Sequence, residues 1–180
     1  MPTTLPSGAP AKPTEADAGL LAFAQSAELA VHDLYSAAAD VQSYSDEQRA
    51  LLRLFGANHL AYAQAIGGAI GKAATNRRDD AIYRAYRADM FTPVRAMAVL
   101  QDLENTLART HTELVGRLEA VAGAELAASI AMVEARHAAT LALLRDAGDV
   151  NGALSNPAAS LAPGGTAAAA TDTTETTVAP

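Results

Sequence analysis

The sequence predicts an all-α protein, a bundle of four long helices, and three observations lead there. Of 180 residues 45 are alanine, against 3 Phe, 5 Tyr and no Trp. Alanine is the best helix former and adds little bulk to a core, whereas a sandwich or barrel draws on Val, Ile, Thr and aromatics in alternation. Apolar residues recur at three- and four-residue spacing through four long segments. The links between those segments run short, long, short, so neighbours joined by the short links pack antiparallel and one long crossover returns the chain.

The first helix spans about residues 15–39, with Leu21, Ala24, Val31 and Tyr35 on one seam. The second opens at Ser45, where Ser45-Asp46-Glu47-Gln48 is a capping box. Its seam is Leu52, Phe55, Tyr62 and Ile66, fading at Gly67-Gly68. The third starts near Pro93, a residue suited to a first turn, and continues through Met97, Leu100, Leu107, Leu114, Leu118 and Val121. Ala122-Gly123 separates it from the fourth, which uses Leu126, Ile130, Leu141 and Leu144 and ends before Gly148. Residues 40–44 join the first pair of helices. Residues 73–92 form the crossover, with a short helix expected at 79–90; Arg77-Arg78-Asp79-Asp80 reads as a solvated turn and helix start.

The ends differ from the middle. Residues 1–14 hold four prolines and read as a flexible tail; 15–151 are the bundle; 152–180, rich in Ala, Thr and Pro, read as a disordered tail that cannot bury enough apolar surface to offset its ordering entropy. A net charge of −7 and a pI near 5.0 disfavour nucleic acid and anionic membrane surfaces as partners. With zero cysteines, disulfides, thiolate metal sites and cysteine nucleophiles are excluded. No uninterrupted apolar run reaches the roughly 18 residues of a span, and residues 1–14 show no apolar signal core. We expect a cytoplasmic chain with no membrane partner.

Polar residues interrupt every seam near its middle. Glu28 falls between Ala24 and Val31, and His59 between Phe55 and Tyr62. Glu104 and His111 flank Leu107, and Glu134 and His137, three residues apart, continue the Ile130/Leu141 face. Each alone has an ordinary explanation, a wet seam edge or a satisfied core histidine. Together, with the helices in register, they form one layer at the waist of the bundle. Glu is almost never fully buried unless paired, and a cation with oxygen and imidazole ligands would neutralise such a layer. His32 falls off the seam and reads as surface.

The fourth-helix stretch Ala128-Ser129-Ile130-Ala131-Met132-Val133-Glu134-Ala135-Arg136-His137-Ala138, together with Leu103-Glu104-Asn105-Thr106 and Phe23-Ala24-x-x-Ala27-Glu28-Leu29 with Tyr35, resembles the ferritin-like superfamily of di-iron and di-manganese carboxylate proteins. The resemblance covers about residues 15–147. It implies a ferritin-like four-helix bundle and a metal site built from one Glu on the first helix, Glu-x-x-His on the second, one Glu on the third and Glu-x-x-His on the fourth. Glu28, Glu104, Glu134 and His137 match that pattern. The second helix departs from it. Setting His59 on the family histidine puts Gly56 where the Glu belongs; setting His59 on the family Glu puts Tyr62 where the histidine belongs. One bridging carboxylate is missing either way.

The resemblance therefore implies metal ligands Glu28, His59, Glu104, Glu134 and His137, with Tyr62 and His111 as weaker ones. Iron is the first ion to consider, then manganese or zinc, as one ion, two, or none if the site is a relic. Two functions stand at this point: a metal-binding protein that oxidises Fe(II), or a catalytically inactive bundle that acts as a binding or dimerisation module. For the second, Ala65–Ala69 offers small residues for close approach of a partner, and a homodimer stays open. No oxyanion-hole or phosphate-binding loop supports a hydrolase.

Overall fold

A computed structural model of the chain describes Gly8 and residues 10–145 and 150–163. Among the described residues six α-helices follow in order: α1 Glu15–Ala39, α2 Asp46–Ile70, α3 Asp80–Tyr86, α4 Pro93–Arg117, α5 Val121–Leu144 and α6 Val150–Leu154. The long four pack as two hairpins, α1 on α2 and α4 on α5, set face to face, while residues 71–92 cross from one hairpin to the other. The crossover carries 3-10 turns at Gly71–Ala73 and Arg87–Phe91 on either side of α3.

Local chemistry sets the ends. Thr14 caps α1 in a box with Asp17, and Ser45 caps α2 in the box with Gln48 that the sequence announces. α2 runs past Gly67-Gly68 to Ile70 and stops at Gly71, whose φ of 57° suits a residue without Cβ. Gly67 serves the interior rather than a partner. A Cβ there would meet Gln25 Nε2 at 2.6 Å, and that amide donates to Ala63 O and Asn76 Oδ1, tying α1 to α2 and to the crossover. Asp79 caps α3, and Arg78 pairs with Asp33 and Asp80 across the same turn.

The α4–α5 turn lies three residues earlier than the sequence suggests. The chain turns at residues 118–120, and Gly123 is buried inside α5. The cause is Asp17, itself fully buried, whose carboxylate accepts the amides of Glu119 at 2.8 Å and Ala120 at 3.0 Å. Burial alone would raise the Asp17 carboxyl; the backbone hydrogen bonds from Thr14, Glu119 and Ala120 outweigh it and hold the group below its usual range. Asp17→Ala strands the buried Ala120 amide and the partly buried Glu119 amide, and a loss of about 2 kcal/mol is expected in urea unfolding. Because the folded pKa is depressed, this stabilisation is present above the ordinary Asp range and is lost as pH falls through the lower folded value.

Residues 150–163 correct the expectation that everything beyond 151 is disordered. After α6 the chain straps along α4: Asn156 Nδ2 donates to Asn105 O, Ser160 Oγ to Glu113, and the Leu161 amide to Thr110 Oγ1 at 2.9 Å. Leu161 is buried in the main apolar cluster. A composition averaged over the whole tail hides one leucine with its own slot. Leu161→Ala is expected to cost about 2 kcal/mol, the low end for a buried leucine, read as a lowered urea midpoint. Of the rest of the tails, residues 1–7, 9 and 164–180, like Gly148 as the expected end of the fourth helix, lie outside the described residues.

Most seam residues face inward as the spacing requires, but Val121 and Leu144, at the ends of the third and fourth seams, are exposed. The inward-facing ones form two apolar clusters, one with Leu34, Tyr35, Leu52, Leu100 and Leu107, the other with Leu21, Ala24, Ile66, Leu114 and Ile130. By length and composition α5 is long and apolar enough to cross a membrane, although charged residues interrupt its apolar run. Core helices of bundles fit the same description, and Ala127, Ile130, Ala138 and Leu141 of α5 are buried here. Between the two clusters lies a polar layer.

Candidate metal centre

The layer gathers one residue or more from each long helix: Glu28 from α1, His59 from α2, Glu104 and His111 from α4, Glu134 and His137 from α5. All six are buried, four of them completely. The sequence ranks His111 with Tyr62 as a weaker candidate; the structure separates the two. His111 sits inside the layer, its Nε2 3.5 Å from Glu28 Oε1. Tyr62 is half-buried at the edge, its ring centroid 6.1 Å from that of His59. Burial, then Glu134, Glu28 and Glu104, push the Tyr62 phenol up to about 12.

His59 is central. Its Nδ1 lies 2.7 Å from Glu28 Oε2 and its Nε2 3.0 Å from Glu104 Oε1, so one imidazole spans the carboxylates of α1 and α4. Tyr35 stacks under the ring, centroids 5.3 Å apart, and donates its O–H to the same Glu104 oxygen. His137 Nδ1 also approaches that oxygen, at 3.1 Å; its Nε2 accepts from Asn58 Nδ2, and Phe55 stacks on its face. His111 Nδ1 faces Glu134 Oε2 at 3.0 Å. His32, expected at the surface, is half-buried and donates from Nδ1 to Gly56 O at 2.8 Å, bracing α1 against α2 outside the layer.

The geometry favours one of the two registers for α2. A Cβ on Gly56 would meet Tyr35 Cβ at 3.0 Å, with His32 O close behind. Position 56 therefore abuts α1, where a side chain would press on Tyr35, while position 59 stands between the carboxylates of the other helices.

The carboxylates are not equivalent. Burial would raise Glu104, but His59 and His137 beside it outweigh burial and hold it down at about 2. His59 is the converse: burial disfavours its charge, yet Glu104 and Glu28 raise it well above the ordinary imidazole value. Burial, with Glu28 and Glu104 nearby, pushes Glu134 up to about 8 against the pull of His111. His111 goes up to about 9, Glu134 and Glu28 prevailing over its burial. One half of the layer is a fixed ionic network, the other a proton-sharing pair.

Four buried atoms of this layer have no hydrogen-bond partner: Glu28 Oε1, Glu104 Oε2, Glu134 Oε1 and His111 Nε2. Buried polar groups are nearly always satisfied, so orphans concentrated in one layer point to a ligand. The donors form two sets within mutual reach, His59/Glu104/His137 and Glu28/His59/Glu134, with the chosen atoms of each set within 4.8 Å of one another. Carboxylate oxygen with imidazole nitrogen suits iron, manganese or zinc, so the residues present fit a metal ion.

Sequence reasoning did not anticipate Asn58, which borders a ligand candidate but reads as one more polar residue on an outer face. Nor did it anticipate the grip of Tyr35 on Glu104; a buried phenol four positions past Val31 was legible only as core. Neither curated proteins nor solved structures yield a match to this chain. The model of the ferritin-like domain family does match, over residues 16–147, nearly all of the bundle. With four helices, one crossover and a carboxylate–histidine waist, the chain belongs to the ferritin-like domain family.

Proposed function

We propose that the waist of the bundle binds transition-metal ions, iron foremost, and that Fe(II) is a substrate oxidised there by dioxygen or peroxide. The supporting observation is the set of four buried atoms without a hydrogen-bond partner, on Glu28, Glu104, Glu134 and His111, the first three of which also belong to the two donor sets. Glu28, His59, Glu134 and His111 would hold one ion, and His59, Glu104 and His137 another. A bound iron supplies one-electron redox chemistry, and hard oxygen ligands favour its ferric state. The chain does the rest. Stacking by Tyr35 and Phe55 fixes the His59 and His137 rings, Tyr35 orients Glu104, and the apolar clusters on both sides keep bulk water from the layer.

A specific observation favours a second reading, an inactive bundle that binds a partner. Each carboxylate of the layer already accepts a hydrogen bond from a histidine. The layer can thus satisfy much of its own charge and hydrogen bonding without any ion. Metal content separates the readings. Untagged protein is exposed to Fe(II), Mn(II) or Zn(II), desalted and analysed for ions per chain, and Fe(II) samples are followed for ferric absorbance in air. One or two retained ions with a ferric signal supports oxidation; retained ions without it supports binding alone; no retained ion with a stable fold supports the inactive bundle.

Glu134→Gln sharpens the contrast. Burial raises Glu134, so replacing it with a neutral isostere is expected to leave metal-free stability unchanged or slightly higher. Metal affinity is expected to fall by at least about 100-fold, since even supporting residues around a metal cost 10–100-fold when changed. Urea unfolding with chelator and metal titration read the two quantities.

A further inference from the structure

We propose that His59 bridges two metal ions, one on each ring nitrogen, in the place where a helix-borne glutamate would otherwise bridge them. This inference rests on the metal-binding reading above. The two donor sets share one residue, and it is His59. Its nitrogens diverge toward different helices, Nδ1 to Glu28 at 2.7 Å and Nε2 to Glu104 at 3.0 Å, so each set receives its own nitrogen. The ring needs no reorientation to serve both, because carboxylates hold its two edges and Tyr35 stacks on its face. Position 56 supplies no carboxylate: it is a glycine packed close against Tyr35 and His32.

Charge points the same way. The layer holds three glutamates, all completely buried. Two divalent ions against three carboxylates and one imidazolate leave no net charge, which a dry interior favours. One divalent ion with neutral histidines leaves the layer one negative charge over. In forming the bridge His59 releases its ring protons to solvent, since a nitrogen must be free of its proton to bind a metal. The carboxylate oxygens that accepted from those N–H groups become ligands in their turn. His111, with Nε2 unpartnered and facing Glu28 Oε1, completes the Glu28 side.

The bridge has a metric signature. Metal–nitrogen bonds of about 2.0–2.1 Å on opposite nitrogens of one imidazole set the ions about 6 Å apart, whereas carboxylate-bridged pairs sit roughly 3.5–4 Å apart. The full chain is loaded with Zn(II) alone, its zinc counted after desalting, and crystals of the loaded protein are measured at the zinc edge. Two zinc ions per chain, with anomalous peaks about 6 Å apart and the His59 ring between them, is the expected result. Two peaks roughly 3.5–4 Å apart, or a single zinc, overturns the bridge and leaves metal binding standing. No zinc, iron or manganese retained overturns the metal-binding reading itself. In solution His59→Gln, with one donor in place of two, is expected to lower the count from two zinc ions to one. A variant that folds by circular dichroism and still retains two overturns the bridge independently of crystals.

Discussion

Glu104→Ala is expected to be the most damaging single change in the chain, lowering the stability of the metal-free protein by roughly 3–5 kcal/mol, the range for removing one partner of a buried ion pair. Three groups converge on one oxygen of this carboxylate: the Tyr35 hydroxyl, His59 Nε2 and His137 Nδ1. All are buried, and the network holds Glu104 ionised, down at about 2. The alanine leaves a phenol and two imidazoles without their acceptor and a His59 charge balanced by Glu28 alone. Urea unfolding in the presence of chelator reads the loss. A change below about 1 kcal/mol, the scale of an exposed ion pair, would mean that water reaches the layer and screens it. Set beside Glu134→Gln, the comparison is sharp, because burial raises both carboxylates but the neighbouring histidines overcome it at Glu104 and do not at Glu134. Both variants are expected to lose metal; only Glu104→Ala is expected to lose the apo fold.

The layer was legible because helical period makes a polar residue on an apolar seam visible, and Glu28, His59, Glu104, His111, Glu134 and His137 all stand on such seams and are all buried. What joins to what was not legible. A seam gives the height of a residue along its helix, while hydrogen bonding depends on rotamers and on the facing helix. Hence His111 could not be told from Tyr62, nor could His59 be seen to span two carboxylates. The fold errors share a cause. Asp17 looks like an ordinary first-turn acid, yet its oxygens bind amides at positions 119 and 120, and that distant contact moves the α4–α5 turn away from Gly123. The strap at residues 150–163 depends on a single leucine finding a slot beside Thr110. Local pattern carries the elements and the layer; contacts far apart in sequence decide the turn, the strap and the pairing.

Alkaline pH is expected to weaken the metal-free protein and spare the loaded one. His111 and His59 both have folded pKa values raised above the ordinary imidazole value, His111 to about 9 and His59 well above that ordinary value. For a raised group the stabilisation is fully present below the unfolded pKa, about 6.5, and is lost as pH climbs through the folded one. Glu134, raised to about 8, adds to the loss on the same side, because ionising it puts a further charge in the dry layer. Glu104 works at the other end: its stabilisation is present above the ordinary Glu range and lost only as pH falls through about 2. The metal-free melting temperature should therefore decline already from about pH 5, as pH leaves the ordinary carboxyl range for Glu134, and fall more steeply above about pH 7 as the histidines join it. Bound ions take the place of those protons and stabilise the fold by mass action, roughly 4 kcal/mol per ion at a thousand times Kd. Calorimetry from pH 5 to 10, with chelator and with saturating Mn(II), tests both halves. A flat metal-free profile would mean that the histidines are already neutral at pH 7, and parallel declines would mean that the ions sit elsewhere. Divergence above pH 7 is the expected outcome, because protons and metal ions then compete for the same six side chains.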